Sequence, residues 1–412
     1  MKTLYLHIGS PKTGSTSIQE YLDDNRLGLI NKGVVFCQKG KINNDEFSLA
    51  VSTGNIQKIR SFFKSFLKEE CNKYILSSEN LFWLGDNYNN KFGKVISNEE
   101  SIKTLKKIAF EFFDVVYVLV YLRPQAEFIN SMYIQDVQFM YDGSVSNYAD
   151  KFEFDYIKVL SLWEKHFDIK NIKIKVFGSE LFKKGLLVDF FKGLDIPFSV
   201  GKEYMSNQTI TTELFYFKRR FNKALELFDF KPNGILFRFF GYIDLMLAQE
   251  LASSKKTHIE LSNQDCIHFD NKYALSNELL FKKYNLDGLN EFNSDRLSKK
   301  IQSFNTLDDS KHNFLLMYIR LVNLIGKYKY RALLERAQRL LSKRESDIDD
   351  ISLLELSASL FMMEYNQQNK KLNISDAHNL SLSDVKSKKI KLVQPVKMGF
   401  IASIKNTFSL LR

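Results

Sequence analysis

Hydrophobic residues along the first half of the chain fall alternately into short unbroken runs and into stripes at helical spacing. Thr3 to Ile8 is such a run, Gly9 to Thr13 carries turn residues, and Ile18, Tyr21 and Leu22 follow at helical spacing. The order predicts a buried strand, a tight turn and a helix opening at Gly14-Ser15-Thr16. Gly33 to Cys37 predicts a second strand, and residues 38–54, polar and dotted with glycine, a long loop. Ile59, Phe62, Phe63, Phe66 and Leu67 form the stripe of a helix that covers a sheet. Lys73 to Glu79 reads as a third strand ending in Ser77-Ser78-Glu79. A helix over 101–113 leads to Val115–Leu122, apolar on both faces as an interior parallel strand requires. It stops at Arg123-Pro124, with proline at the first position of a helix bearing Phe128, Ile129 and Met132. A helix around Trp163, an alternating strand over 171–177, and an apolar helix over 186–194 complete this half.

Strands separated by helices predict an α/β fold: a central parallel sheet of about five strands flanked by helices. Further on, Ser206 to Thr211 reads as a polar turn in which Asn207 caps the helix starting near Glu213. Helices are also expected over 235–252 and 269–281. Beyond about residue 295 the pattern changes to helices over 312–325, 328–341 and 351–365, joined by short polar turns. The expected division is 1–295 as the α/β domain, 296–366 as a helical region and 367–396 as a polar linker. Residues 397–412 form an amphipathic helix with Phe400, Ile401, Ile404, Phe408 and Leu411 on one face. Such a stripe packs on its own protein, lies on a membrane surface or docks on a protein partner.

The 412 residues carry a net charge of +11 and a pI near 9.2, which suits anionic ligands of several kinds. The lysines are scattered and no known nucleic-acid-binding pattern is present, so nucleic acid is not an expected partner. Cys37, Cys71 and Cys266 are too few and too far apart for a disulfide framework or a zinc site. No 18-residue apolar run occurs, and the chain enters its first strand within a few residues. A cytoplasmic protein is therefore expected, free or peripheral at the inner face of a membrane through the final helix.

The first turn places backbone N–H groups, a lysine and two hydroxyls at a helix N-terminus, where an anion is stabilised. It departs from the GxxxxGK[ST] phosphate loop, because Ser15 stands where that motif has lysine and the lysine lies inside the loop at Lys12. In a parallel sheet ligands gather at the carboxyl ends of the strands, so Ser77, Ser78 and Glu79 should lie beside the turn. Arg123 ends the fourth strand, with Ser131 about two helical turns on.

The segment HIGSPKTGSTSIQ resembles the 5′-phosphosulfate loop of PAPS-dependent sulfotransferases, particularly the bacterial polysaccharide-modifying kind, and YLRPQAEFINSMY is similar to their 3′-phosphate site. The resemblance covers about the first half of the chain. It implies a P-loop-type three-layer sandwich that moves a sulfuryl group from PAPS to a carbohydrate, such as a capsular or cell-surface polysaccharide, without a metal. It further implies that Lys12, Thr13, Gly14, Ser15 and Thr16 hold the 5′ end of the nucleotide and Arg123 and Ser131 its 3′-phosphate. Lys12 would stabilise charge on the leaving phosphate. Glu79 is the first candidate for the base and His7, which titrates near neutrality, the second. Two other readings stay open: a P-loop kinase or GTPase-like enzyme with a degenerate loop, and a non-catalytic scaffold for glycan assembly.

Overall fold

The computed structural model describes residues 1–37, 42–84, 96–139, 141–150, 155–177, 185–196, 210–227, 261–292, 310–326 and 330–369. The elements begin with β1 (Thr3–His7), α1 (Ser15–Asp24), α2 (Arg26–Ile30), β2 (Val34–Phe36), α3 (Ile42–Ser52), α4 (Ile56–Lys64), β3 (Lys73–Ser77) and α5 (Asn80–Trp83). There follow α6 (Asn98–Ala109), β4 (Val115–Leu122), α7 (Gln125–Phe139), α8 (Val145–Ala149), α9 (Tyr156–His166), β5 (Ile172–Val176) and α10 (Leu186–Gly193). The last are α11 (Thr212–Leu227), α12 (Asn263–Lys283), α13 (Leu289–Phe292), α14 (Lys311–Gly326), α15 (Arg331–Leu341) and α16 (Asp350–Asn369).

The strands form one all-parallel sheet in the order β2-β3-β1-β4-β5. Successive side chains of a strand point to opposite faces, and both faces are apolar here. Leu4 and Leu6 of β1, Tyr74 and Leu76 of β3, and Val116, Val118, Val120 and Leu122 of β4 enter one core, shared with α3, α4, α6, α9 and α12. Tyr5, Ile75, Leu119 and Tyr121 enter the other, covered by α1, α2 and α10 through Ile18, Leu22, Leu29, Phe190 and Phe191. The result is an α/β protein with a five-stranded parallel sheet between helical layers. Each large apolar side chain fully buried in these cores contributes about 1.5–3 kcal/mol. β5 is an edge strand, and its alternation keeps Lys173 and Lys175 on one side.

Local signals set the helix starts. Asn55, Ser97 and Asp155 cap α4, α6 and α9 by accepting from backbone N–H groups, and Ser262 with Asp265 forms a capping box at α12. Residues 42–52, expected as part of a loop, are helical, because Phe47, Ala50 and Val51 fall at helical spacing and are buried. Residues 136–150, whose sequence also reads as a loop, carry the end of α7 at Phe139 and then α8.

The chain divides into two compact units, Met1–Ile129, Phe152–Asn207 and Leu261–Lys300 in the first, and Asn130–Lys151, Gln208–Glu260 and Ile301–Arg412 in the second. The boundary near residue 300 follows the change of pattern, but the second unit also takes two segments from within the range expected as one α/β domain. Its core joins α11 to α14, α15 and α16 through Phe217, Phe221, Phe314, Tyr318, Leu333 and Leu356. The three cysteines are buried as free thiols. Among the described residues no helix is long and apolar enough to cross a membrane. The expected cap at Asn207, the helix over 235–252, nearly all of the 367–396 linker and the final helix lie outside the described residues.

Candidate active site

The first unit brings the carboxyl ends of β3, β1 and β4 side by side. Ile8 N donates to Leu119 O at 3.0 Å and Ser78 N to His7 O at 2.9 Å, extending the ladder past the last paired residues. From β1 the chain leaves toward β2 on one side, and from β4 toward β5 on the other. Their loops therefore part at the point where parallel sheets open a ligand crevice.

The turn after β1 is held in an unusual backbone state. Gly9, Lys12 and Gly14 have φ of 44°, 65° and 82°, and the left-handed region costs a non-glycine residue such as Lys12 about 1–2 kcal/mol. Several bonds hold it there. Ser10 donates to Tyr121 O from both Oγ (2.8 Å) and N (3.3 Å), Thr13 Oγ1 donates to Ser10 O (2.6 Å), and Arg123 Nη1 donates to Lys12 O (3.2 Å). Turns with left-handed residues of this kind can aim several backbone N–H groups into one concavity. Gly14 is the N-cap of α1, which has neither a side-chain cap nor an acidic residue in its first turn. A Cβ on Gly14 would lie 2.3 Å from Leu186 Cδ2 of α10, so the leucine side chain would have to move to admit one, and the left-handed φ itself favours glycine.

Around this turn stand most of the residues singled out from the sequence. Ser15 Oγ donates to Glu79 Oε2 at 2.5 Å, which holds the carboxylate beside the start of α1. Lys12 and Thr16 are partly exposed, and Thr13 is buried with its hydroxyl committed to the loop itself. His7 is 1% exposed, joined through Nδ1 to Ser77 Oγ at 2.8 Å and enclosed by Tyr121 and Phe190. Burial pulls its pKa down to about 4. Its Nε2 and the buried Ser78 Oγ have no hydrogen-bonding partner among the described residues, and Nε2 lies 3.3 Å from the Cβ position of Gly9.

Arg123 follows β4 and leans back onto the loop. Besides Lys12 O, its Nε donates to Glu127 Oε2 at 3.2 Å and its guanidinium carbon lies 5.8 Å from the centre of the Phe177 ring. The corner behind it is fixed from far along the chain. Tyr156 donates to Arg123 O at 2.6 Å, fixing the backbone at the end of β4. Gln125 and Asn277, both buried, exchange amide hydrogen bonds of 2.7 and 3.1 Å, and Ser276 donates to Asp155 at 2.5 Å. Ser131 is partly exposed and lies on the part of α7 that belongs to the second unit, so it is not among the groups the first unit brings together.

Ser10, Tyr156, Phe177 and Asn277 had not been singled out from the sequence. Only Glu127 carried a readable signal, standing four residues after Arg123 in the first turn of the helix that follows it.

These features define a parallel α/β protein with a lysine-bearing, left-handed turn at the carboxyl edge of its sheet. Among curated proteins the chain is similar to an uncharacterized protein of Archaeoglobus fulgidus, 29% identical over 170 residues, 40% of this chain and 45% of that protein. The chain thus matches less than half the length of that relative. No family model matches the chain, and no solved structure matches it.

Proposed function

We propose that the chain is a sulfotransferase that moves a sulfuryl group from PAPS to a hydroxyl or amine of a carbohydrate, by in-line transfer without a metal. The supporting observation is the 3.2 Å bond from Arg123 Nη1 to the Lys12 carbonyl. It puts a guanidinium and a lysine-bearing anion turn on one edge of the sheet, as a nucleotide charged at both its 5′ and 3′ positions would require. The turn's N–H groups, Lys12 and the hydroxyls of Ser15 and Thr16 bind the 5′ end, and Arg123 the 3′-phosphate.

As the bond from sulfur to the phosphate oxygen breaks and the bond to the acceptor oxygen forms, the Lys12 ammonium neutralises charge on the departing phosphate. Glu79 takes the acceptor proton, exchanging the Ser15 hydroxyl for the acceptor as its donor. His7, enclosed and neutral, is a positioning residue that supports Ser77 and the underside of Gly9. The proposal includes a cytoplasmic protein, free or peripheral at the inner face of a membrane, in keeping with its three free thiols.

Calorimetry tests the site directly. Adenosine 3′,5′-bisphosphate should bind without metal. Arg123→Ala should weaken it about a hundredfold, the loss of one or two charge-assisted hydrogen bonds. Lys12→Ala should abolish transfer of radiolabelled sulfate from PAPS with the circular dichroism unchanged. Stabilisation by ATP with magnesium alone would instead support a kinase or GTPase-like enzyme, and binding of neither nucleotide a scaffold.

A further inference from the structure

Arg123 already holds an anion. Its Nε donates to Glu127, while Nη1 is engaged with the loop carbonyl of Lys12. The Arg123 and Glu127 side chains are 23% and 13% exposed, so their charges interact with little screening by water. Glu127 also stands in the first turn of α7, where the helix dipole favours a carboxylate. Any second anion that docks on this guanidinium must share it with a negative charge fixed four residues on, in the first turn of α7.

We propose that Glu127 is an internal counter-ion with two separable effects: it orients Arg123 against the Lys12 loop, and by its charge it opposes retention of the 3′-phosphate, hastening nucleotide release. This rests on the reading of Arg123 as the phosphate ligand. Orientation needs only an acceptor atom, which the carbonyl oxygen of glutamine also supplies. Opposition needs the negative charge, which glutamine lacks.

The test compares wild type with Glu127→Gln by calorimetry and stopped-flow kinetics, using adenosine 3′,5′-bisphosphate and adenosine 5′-phosphate as probes. In the variant the bisphosphate should bind about tenfold more tightly, equivalent to about 1.4 kcal/mol, chiefly through slower dissociation. The 5′-phosphate, which lacks the group facing Arg123, should bind unchanged. Unaltered or weaker binding of the bisphosphate overturns the proposal, as does equal tightening of both nucleotides. If Glu127→Gln does not fold, Glu127→Asp draws the carboxylate back by one methylene. It should then tighten the bisphosphate selectively, and failure to do so has the same force. A wild type that binds neither nucleotide removes the reading of the site as well, whereas binding by wild type without a selective effect removes only the role of Glu127.

Discussion

Acidification should expose His7 as a silent liability of the first unit. In the folded chain its ring is 1% exposed and its pKa is lowered by burial from 6.5 to about 4. Between those limits the unfolded chain binds a proton that the folded chain refuses. The contribution of His7 to stability is therefore fully present above pH 6.5 and is lost as the pH falls toward 4. Each pH unit in that window removes about 1.4 kcal/mol, or about 3 kcal/mol across it. His7→Asn removes the titrating ring while leaving Ser77 a hydrogen-bonding partner. Other groups, including the half-buried His166 and the carboxylates, titrate in both proteins and largely cancel in the difference. Urea unfolding followed by the fluorescence of Trp163, 1% exposed in the first unit's core, should be read between pH 7.5 and 4.5. The variant should lose less stability than wild type on acidification, by about 2.5 kcal/mol over that interval. Parallel pH profiles for the two proteins would show that the ring is not held neutral in the fold, and would return His7 to contention as a base.

The remaining expectations concern the turn and its supports. Gly14→Ala combines a left-handed φ of 82° with the 2.3 Å approach to Leu186, and should cost about 2–4 kcal/mol in urea unfolding; wild-type stability would mean that the turn is not packed as described. Tyr156→Phe leaves the Arg123 carbonyl short of a partner, costing about 1–3 kcal/mol, and calorimetry should also show weakened binding of adenosine 3′,5′-bisphosphate. Glu79→Gln should slow transfer from PAPS about 10²- to 10⁴-fold with nucleotide affinity retained. Loss of affinity with an unchanged rate would assign Glu79 to binding.

The sheet was readable because parallel strands buried on both faces need apolar runs, and Val115–Leu122 is a continuous one while Thr3–Ile8 is broken only by His7. The turn at Gly9–Gly14 was readable because glycine, lysine and hydroxyls between a strand and a helix have few other uses. Helix α3 was obscured by the Asn43-Asn44-Asp45 start, which favours turns locally, although Phe47, Ala50 and Val51 carried the helical spacing. The supports of the site had no local signature at all. Asn277 and Tyr156 act on a corner 152 and 33 residues away in the chain, and nothing in their own surroundings indicates a polar partner at that distance. Helical spacing gave no hint that Arg123 and Ser131 belong to different compact units, because the boundary at Ile129 falls inside α7.

That alternation of segments restricts how this molecule can be dissected. The six segments pass from one unit to the other at 129/130, 151/152, 207/208, 260/261 and 300/301, so no single cut releases either unit whole. A truncation after residue 260 would keep the Gly9–Gly14 turn, the sheet and Arg123, yet discard Asn277 and Ser276 and leave Gln125 with an unanswered amide in the interior. The shortest fragment worth expressing for nucleotide studies therefore ends near residue 300, long after the last strand.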